Sequence, residues 1–106
     1  MEEKKELGFE VIYAILDNGF ADQAILAARE AGAKGGTILR ARGSSNIGVD
    51  KKYGITITPE KEVLMILVRS DIKDAVMDAI YKAGIEEMNR GIVFSLPVTS
   101  TVGLKY

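Results

Sequence analysis

The chain has 106 residues, 47% of them hydrophobic and 27% charged, which is the length and composition of one globular domain. Its net charge is −1, so charge alone gives no general attraction to nucleic acid or to an anionic membrane. Cysteine and histidine are absent, which excludes disulfides, thiol nucleophiles, the Ser-His-Asp triad and the commonest transition-metal ligands. We therefore expect a single domain over residues 1–106 without this familiar catalytic chemistry.

The first predicted elements are a strand, a helix and a second strand. Phe9–Leu16 is a short apolar run rich in β-branched and aromatic residues, which predicts a strand. The turn Asp17–Gly19 offers Asp and Asn side chains as helix N-caps. Apolar residues then recur at helical spacing over Ala21–Ala31, and Gly32 predicts a left-handed C-cap. Thr37–Ala41 is the next strand candidate.

The same pattern recurs later in the chain, where Glu62–Gly84 aligns with Glu10–Gly32 without a gap. The second copy predicts the strand Val63–Val68, the helix Ile72–Ala83 with Gly84 as a left-handed C-cap, and the strand Gly91–Leu96. The order βαβ-βαβ predicts a ferredoxin-like α+β fold. This fold is a two-layer sandwich, with an antiparallel sheet and two helices on one of its faces.

A long segment, Gly43–Glu60, connects the two halves. Its beginning, Gly43–Gly48, is rich in glycine and serine and is typical of a mobile loop. Isoleucine and threonine alternate over Tyr53–Thr58, which predicts one strand arm of a hairpin. Connections of this length in compact domains are more often functional or disordered than incidental. We expect residues 44–58 to be a flexible functional loop.

Both faces of the predicted central strands are apolar. Phe9–Leu16 has apolar residues at both parities, and Val63–Val68 has no polar residue at all. Because the helices cover only one face of the sheet, the other face needs a further cover. Self-association is the simplest cover, and we expect an oligomer.

No stretch of the sequence has the length of a membrane-spanning helix. Purely apolar runs such as Val63–Val68 reach only six residues, against the roughly 20 that cross a bilayer. Met1–Glu6 is of mixed charge and is followed by no apolar stretch of the signal-peptide type. The sequence therefore predicts a cytoplasmic protein without direct membrane insertion.

Several of these segments resemble the P-II nitrogen regulatory family over Phe9 to about Lys105. The first similar segments are Gly32–Ile38, which leads to Arg42-Gly43, and the long central segment after it. The strand Val63–Val68 then precedes a helix that begins with Asp, as in the family. Finally, Gly91–Val98 is similar to the family's G-K-I-F-V-x-P-V strand. The resemblance implies a non-catalytic homotrimer that binds ATP or ADP between subunits, often with 2-oxoglutarate. Such proteins present the central loop, called the T-loop, to a regulated enzyme, membrane transporter or transcription regulator.

The resemblance also implies a set of nucleotide-binding residues, namely Gly35, Thr37, Lys61, Arg90, Gly91 and Lys105. Gly35 and Thr37 fall where the family holds adenine. Lys61 falls on a lysine that reaches toward the phosphates or the oxoacid. Gly91 matches a glycine of the phosphate-holding B-loop, Arg90 replaces a lost B-loop lysine from a neighbouring position, and Lys105 stands where an arginine contacts phosphate.

The chain departs from the family at three places. The B-loop pattern T-G-x-x-G-D-G-K has become Ile85–Ile92, which loses two glycines and the lysine. Gly103 replaces a C-terminal arginine, and Ile47 stands near a glutamine that helps to bind magnesium and 2-oxoglutarate. We therefore expect ATP or ADP, with AMP as a further candidate, and do not expect 2-oxoglutarate or magnesium. A trimeric interaction module that has lost nucleotide binding is the alternative.

Other functions of this fold fit the residues less well. Acylphosphatase-like catalysis uses an arginine in the loop after the first strand, and Asp17–Phe20 contains none. RNA recognition needs aromatic residues on central strands, for which Phe9, Tyr13 and Phe94 are the only candidates, and we expect Phe94 to pack in the core. A metal-tolerance trimer is disfavoured because histidine and cysteine are missing. We expect no nucleic acid partner.

Overall fold

A computed structural model describes residues 8–43, 50–52, 55–57 and 60–104. In chain order the elements are β1 (Phe9–Asp17), α1 (Ala21–Glu30), β2 (Thr37–Arg42), β3 (Asp50–Lys52), β4 (Ile55–Ile57), β5 (Glu60–Arg69), α2 (Lys73–Gly84) and β6 (Ile92–Val98). A single 3-10 turn, Ser70–Ile72, precedes α2.

Four strands form an antiparallel sheet in the order β2-β5-β1-β6, with β5 and β1 in the centre. With α1 and α2 on one face, this confirms the ferredoxin-like α+β prediction. In the central segment β3 pairs with β4 as a separate antiparallel ladder, so the predicted hairpin arm is confirmed for Ile55–Ile57. Residues 44–49, 53, 54, 58 and 59 lie outside the described residues, and the flexibility of the loop stays a prediction.

The core lies between the helices and the alternate residues of β1 and β5 that face them. Its largest fully buried side chains are Ile12, Leu16, Leu64, Ile66, Val68, Val76 and Ile80. Burying each such side chain stabilises the fold by roughly 1.5–3 kcal/mol. The buried face of α1 consists of the alanines at 21, 24 and 28, and these small side chains let the helix lie close to the sheet. Within the described residues, no helix combines the length and apolarity needed to cross a membrane.

The two predicted glycine C-caps have different outcomes. Gly32 has φ +117° and its N–H donates to the carbonyl of Arg29 at 3.0 Å, while the Ala33 N–H donates to Ala28. This is a Schellman motif, so the prediction is confirmed. The prediction for Gly84 is wrong, because Gly84 is the last residue of α2, is buried and does not have a positive φ.

Gly84 is instead required by packing. A Cβ atom at this position would lie 3.3 Å from the Leu16 side chain and 3.4 Å from the Cβ of Ala24. The missing side chain therefore lets α2 approach α1 and β1 closely.

The side-chain N-cap predicted for α1 from Asp17–Gly19 is also wrong. Within the described residues, neither α1 nor α2 receives a hydrogen bond from the side chain of its N-cap residue. A residue from a distant strand caps α1 instead. Glu62 Oε1 of β5 accepts hydrogen bonds from the N–H groups of Gly19 at 3.0 Å and Ala21 at 2.9 Å. Its carboxylate also lies at the helix end where the macrodipole favours negative charge.

The sheet face opposite the helices, called here the open sheet face, is apolar as predicted. Its members on the three longest strands are Val11, Tyr13, Ile15, Val63, Met65, Leu67, Ile92, Phe94 and Leu96. Ile92 and Leu96 are about half exposed, and no described helix covers them. Phe94, expected in the core, lies on this face and stacks on Tyr13 with the ring centres 5.5 Å apart.

Candidate functional site

An ion pair joins the end of β1 to the beginning of β5. The antiparallel register places Asp17 directly opposite Lys61, and Lys61 Nζ donates to Asp17 Oδ1 at 2.7 Å. Only 19% of the Asp17 side chain and 22% of the Lys61 side chain are exposed. Because the pair is mostly shielded from water, its attraction is screened less than that of a surface pair.

A second cation approaches the same carboxylate from the segment between α2 and β6. Arg90 Nη1 lies 3.7 Å from Asp17 Oδ2, and 62% of the arginine side chain is exposed. We call Asp17, Lys61 and Arg90 the Asp17 cluster. The structure thus brings together two of the residues that the sequence assigns to phosphate, and it does so around a carboxylate.

The loop that carries Arg90 is held by its own backbone. Ile85 is buried and its carbonyl accepts from the Asn89 N–H at 2.7 Å. Asn89 has φ +53°, a left-handed conformation that asparagine tolerates better than most residues. Asn89 occupies the position of the second B-loop glycine in the family pattern. The chain therefore has a left-handed backbone at this position without a glycine.

Gly91 is the one retained glycine of this loop, and the fold itself requires it. Its φ is +122°, and a Cβ atom there would lie 2.8 Å from the carbonyl oxygen of Ile15 and 3.0 Å from Ile85 Cγ1. The loop therefore packs directly on the backbone of β1, which sets Arg90 beside the end of that strand.

Lys61 also contacts the start of the long central segment. A Cβ atom at Gly43, which follows β2, would lie 2.9 Å from Lys61 Cγ and 3.1 Å from Lys61 Cε. The aliphatic stem of Lys61 therefore occupies the space that a side chain at position 43 would need. A cavity of about 370 Å³ lies at this end of β2, lined by Arg40, Ala41, Arg42 and Glu60 among the described residues.

The residues assigned to the adenine base lie at the other end of β2. Thr37 begins the strand and is exposed, opposite Met65. Gly35 is half-buried, and no described atom lies within 4 Å of where its Cβ would be. The neighbouring Gly36 is the glycine that packing requires, because a Cβ there would lie 2.7 Å from Ile66 Cγ1.

Within one chain, the described residues assigned to the base do not meet those assigned to phosphate. Thr37 pairs with Met65, whereas Ala41 pairs with Lys61. Ala41 lies four residue steps along the strand from Thr37, which corresponds to about 13 Å at roughly 3.3 Å per residue. Lys105 lies outside the described residues.

Sequence reasoning missed the two carboxylates of this end of the sheet. It offered Asp17 only as a helix N-cap in a turn, whereas the structure places it between two cations. It gave Glu62 no role, whereas this residue caps α1. The signal was in the predicted topology, since antiparallel pairing of β1 with β5 places the last residue of one strand beside the first residues of the other.

Comparison with known proteins supports a family and a fold. Residues 9–105 match the sequence model of the family described as nitrogen regulatory protein P-II, which confirms the resemblance. No curated protein sequence matches the chain significantly. A solved structure of a Bacillus cereus protein related to NIF3 is similar, with a TM-score of 0.72 and 13% sequence identity. The alignment covers 92% of this chain and 27% of that one, so this chain spans about a quarter of its length, and the likeness shows the fold alone.

Proposed function

The chain belongs to the P-II nitrogen regulatory protein family, and on this premise we propose that it binds an adenine nucleotide between the subunits of a homotrimer. The nucleotide state then controls a partner enzyme or transporter through the central segment. Members of the family are trimeric regulators that act in signal transduction rather than catalysis, and membership supports a role in nitrogen regulation.

The observation that carries the nucleotide proposal is the convergence of Lys61 and Arg90 on one carboxylate. A carboxylate and a phosphate are both anions that accept charge-assisted hydrogen bonds from ammonium and guanidinium groups. The cluster therefore has two cations within 4 Å of one anion, and one of them, Lys61, is largely buried. In this proposal the phosphates of ATP or ADP lie at Lys61, Arg90 and Gly91, with Lys105 contributing charge.

The open sheet face supports the trimer. Ile92, Phe94 and Leu96 are 53%, 37% and 47% exposed on one contiguous apolar face, and such a face is typical of a protein interface. The separation of about 13 Å between Thr37 and the Lys61 position along the strands also favours a shared site. In the proposal, association of the copies completes a cleft that holds the base near Gly35 and Thr37.

Calorimetry with ATP, ADP, AMP and 2-oxoglutarate, combined with light scattering, tests the proposal. We expect a particle of three 11.5 kDa chains and heat from ATP or ADP. Because a charge-assisted contact is worth roughly 1.5–3 kcal/mol, Arg90→Ala should weaken ATP about ten- to a hundred-fold, and AMP less. Thr37→Ala should weaken all three nucleotides by similar factors. The exposed Arg29 of α1 gives the matched control, Arg29→Ala, which should change nothing.

A second candidate function is a trimeric interaction module without nucleotide control. It is favoured by the ion pairs themselves, since Asp17 already neutralises part of the charge that a phosphate would need. The absence of heat with millimolar ATP, ADP and AMP from a folded trimer would decide for this module. A stable 11.5 kDa monomer at micromolar concentration would contradict both candidates.

A further inference from the structure

We infer that Asp17 competes with the phosphate groups of the nucleotide for Lys61 and Arg90. As a result, the site favours nucleotides with fewer phosphates. This inference rests on the proposed nucleotide site. It follows from the two contacts of Asp17, whose Oδ1 lies 2.7 Å from Lys61 Nζ and whose Oδ2 lies 3.7 Å from Arg90 Nη1. Of the three cations proposed for phosphate, the two that the structure describes, Lys61 and Arg90, already have an anion of the chain itself beside them.

A phosphate that binds the cluster either displaces the carboxylate or lies next to it. Displacement gives up a short charge-assisted hydrogen bond between two side chains that are about four-fifths buried. Coexistence places two anions a few ångströms apart in a site where water screens them poorly. The displacement cost is the same for every ligand that takes Lys61 from Asp17, whereas the repulsion in the second case rises with the negative charge of the ligand. ATP is therefore penalised more than AMP wherever the carboxylate stays in place.

The backbone holds Asp17 in this position. Asp17 is the last residue of β1 and pairs with Lys61 across the ladder. Its carbonyl accepts from the Phe20 N–H at 3.2 Å, which closes a turn that Gly19 completes with φ +97°. The carboxylate is therefore a fixed part of the site rather than a group on a mobile loop.

Calorimetry of the wild-type chain and of Asp17→Asn with ATP and AMP tests the inference. Asparagine keeps the shape of the side chain and removes the charge. In the wild type we expect affinity not to rise from AMP to ATP. In Asp17→Asn we expect ATP to bind at least tenfold more tightly and AMP to gain less than threefold. Asp71→Asn is the matched control, because Asp71 pairs with Arg69 at the opposite end of the sheet, and it should change neither affinity.

The outcomes separate the inference from the proposed function. Nucleotide binding by Asp17→Asn but not by the wild type would support the inference and contradict the proposed function. Nucleotide binding by both proteins with no gain in the variant would overturn the inference alone, and no binding by either would overturn both. If the wild type bound ATP at least ten times more tightly than AMP, the inference would also be overturned. This comparison does not depend on the folding of any variant.

Discussion

Replacing Gly91 by alanine should destabilise the fold severely, whether or not this glycine also binds phosphate. A residue other than glycine at φ +122° carries strain of about 1–3 kcal/mol. The new methyl group would also lie 2.8 Å from the Ile15 carbonyl oxygen, and such overpacking typically costs about 1–3 kcal/mol more. The backbone of a central strand cannot yield as a flexible side chain can. We therefore expect a loss of about 3 kcal/mol or more in the free energy of unfolding.

Urea denaturation at one fixed protein concentration measures this loss, since the stability of an oligomer depends on concentration. Two matched variants separate its causes. Gly103→Ala has a positive φ of +91° but no described atom within 4 Å of the new methyl group, so it reports backbone strain alone. Gly35→Ala has neither a positive φ nor a described contact and should change stability by less than about 0.5 kcal/mol. Equal stability of Gly91→Ala and Gly35→Ala would refute the packing argument.

Three further predictions concern stability, assembly and titration. Glu62→Ala should lower the free energy of unfolding by about 1–2 kcal/mol, because two N–H groups at the start of α1 lose their acceptor, and Glu62→Gln should cost less in the same urea titration. Leu96→Asp on the open sheet face should dissociate the oligomer in light scattering, whereas Leu26→Asp, at a 60% exposed position of α1, should leave it intact; a trimer in both variants would contradict the proposed interface. The hydrogen bond to Asp78 raises the pKa of Lys82, and the charge of Asp78 raises it further. The pair therefore stabilises the fold fully at pH values below the ordinary pKa of lysine. This stabilisation is lost as the pH rises through the raised pKa of Lys82. Asp78→Asn should bring the pKa of Lys82 back down in an NMR titration, and an unchanged value would contradict the pairing.

The sequence was sufficient for the features that depend on local chemistry. Short apolar runs rich in β-branched residues predicted β1 and β5, and helical spacing of apolar residues predicted α1 and α2. Gly32 was predicted as a C-cap since a left-handed residue after a helix strongly favours glycine. The apolar open sheet face was predicted because Phe9–Leu16 is apolar at both parities and Val63–Val68 contains no polar residue.

The features that were wrong or missed depend on contacts between distant segments. Gly84 looked like a cap, but it is there because Leu16 and Ala24 leave no room for a Cβ atom. The cap of α1 comes from Glu62, which is far from the helix in sequence. Asp17 gains its role only through the register that sets it opposite Lys61. Periodicity describes one element at a time and contains no information on such pairs.

Because Lys61 contacts Gly43, the backbone amide of Gly43 reports the position of the Lys61 ammonium group. The methylenes of Lys61 lie over Gly43 while its ammonium group binds Asp17, so an anion that draws Lys61 away from Asp17 changes the surroundings of the Gly43 amide. The NMR resonance of the Gly43 amide therefore shows whether the Lys61 ammonium group is bound to Asp17. Gly43 is also the residue at which the central segment begins. Any side chain at position 43 would displace Lys61, and the amide resonance would then no longer change when an anion binds.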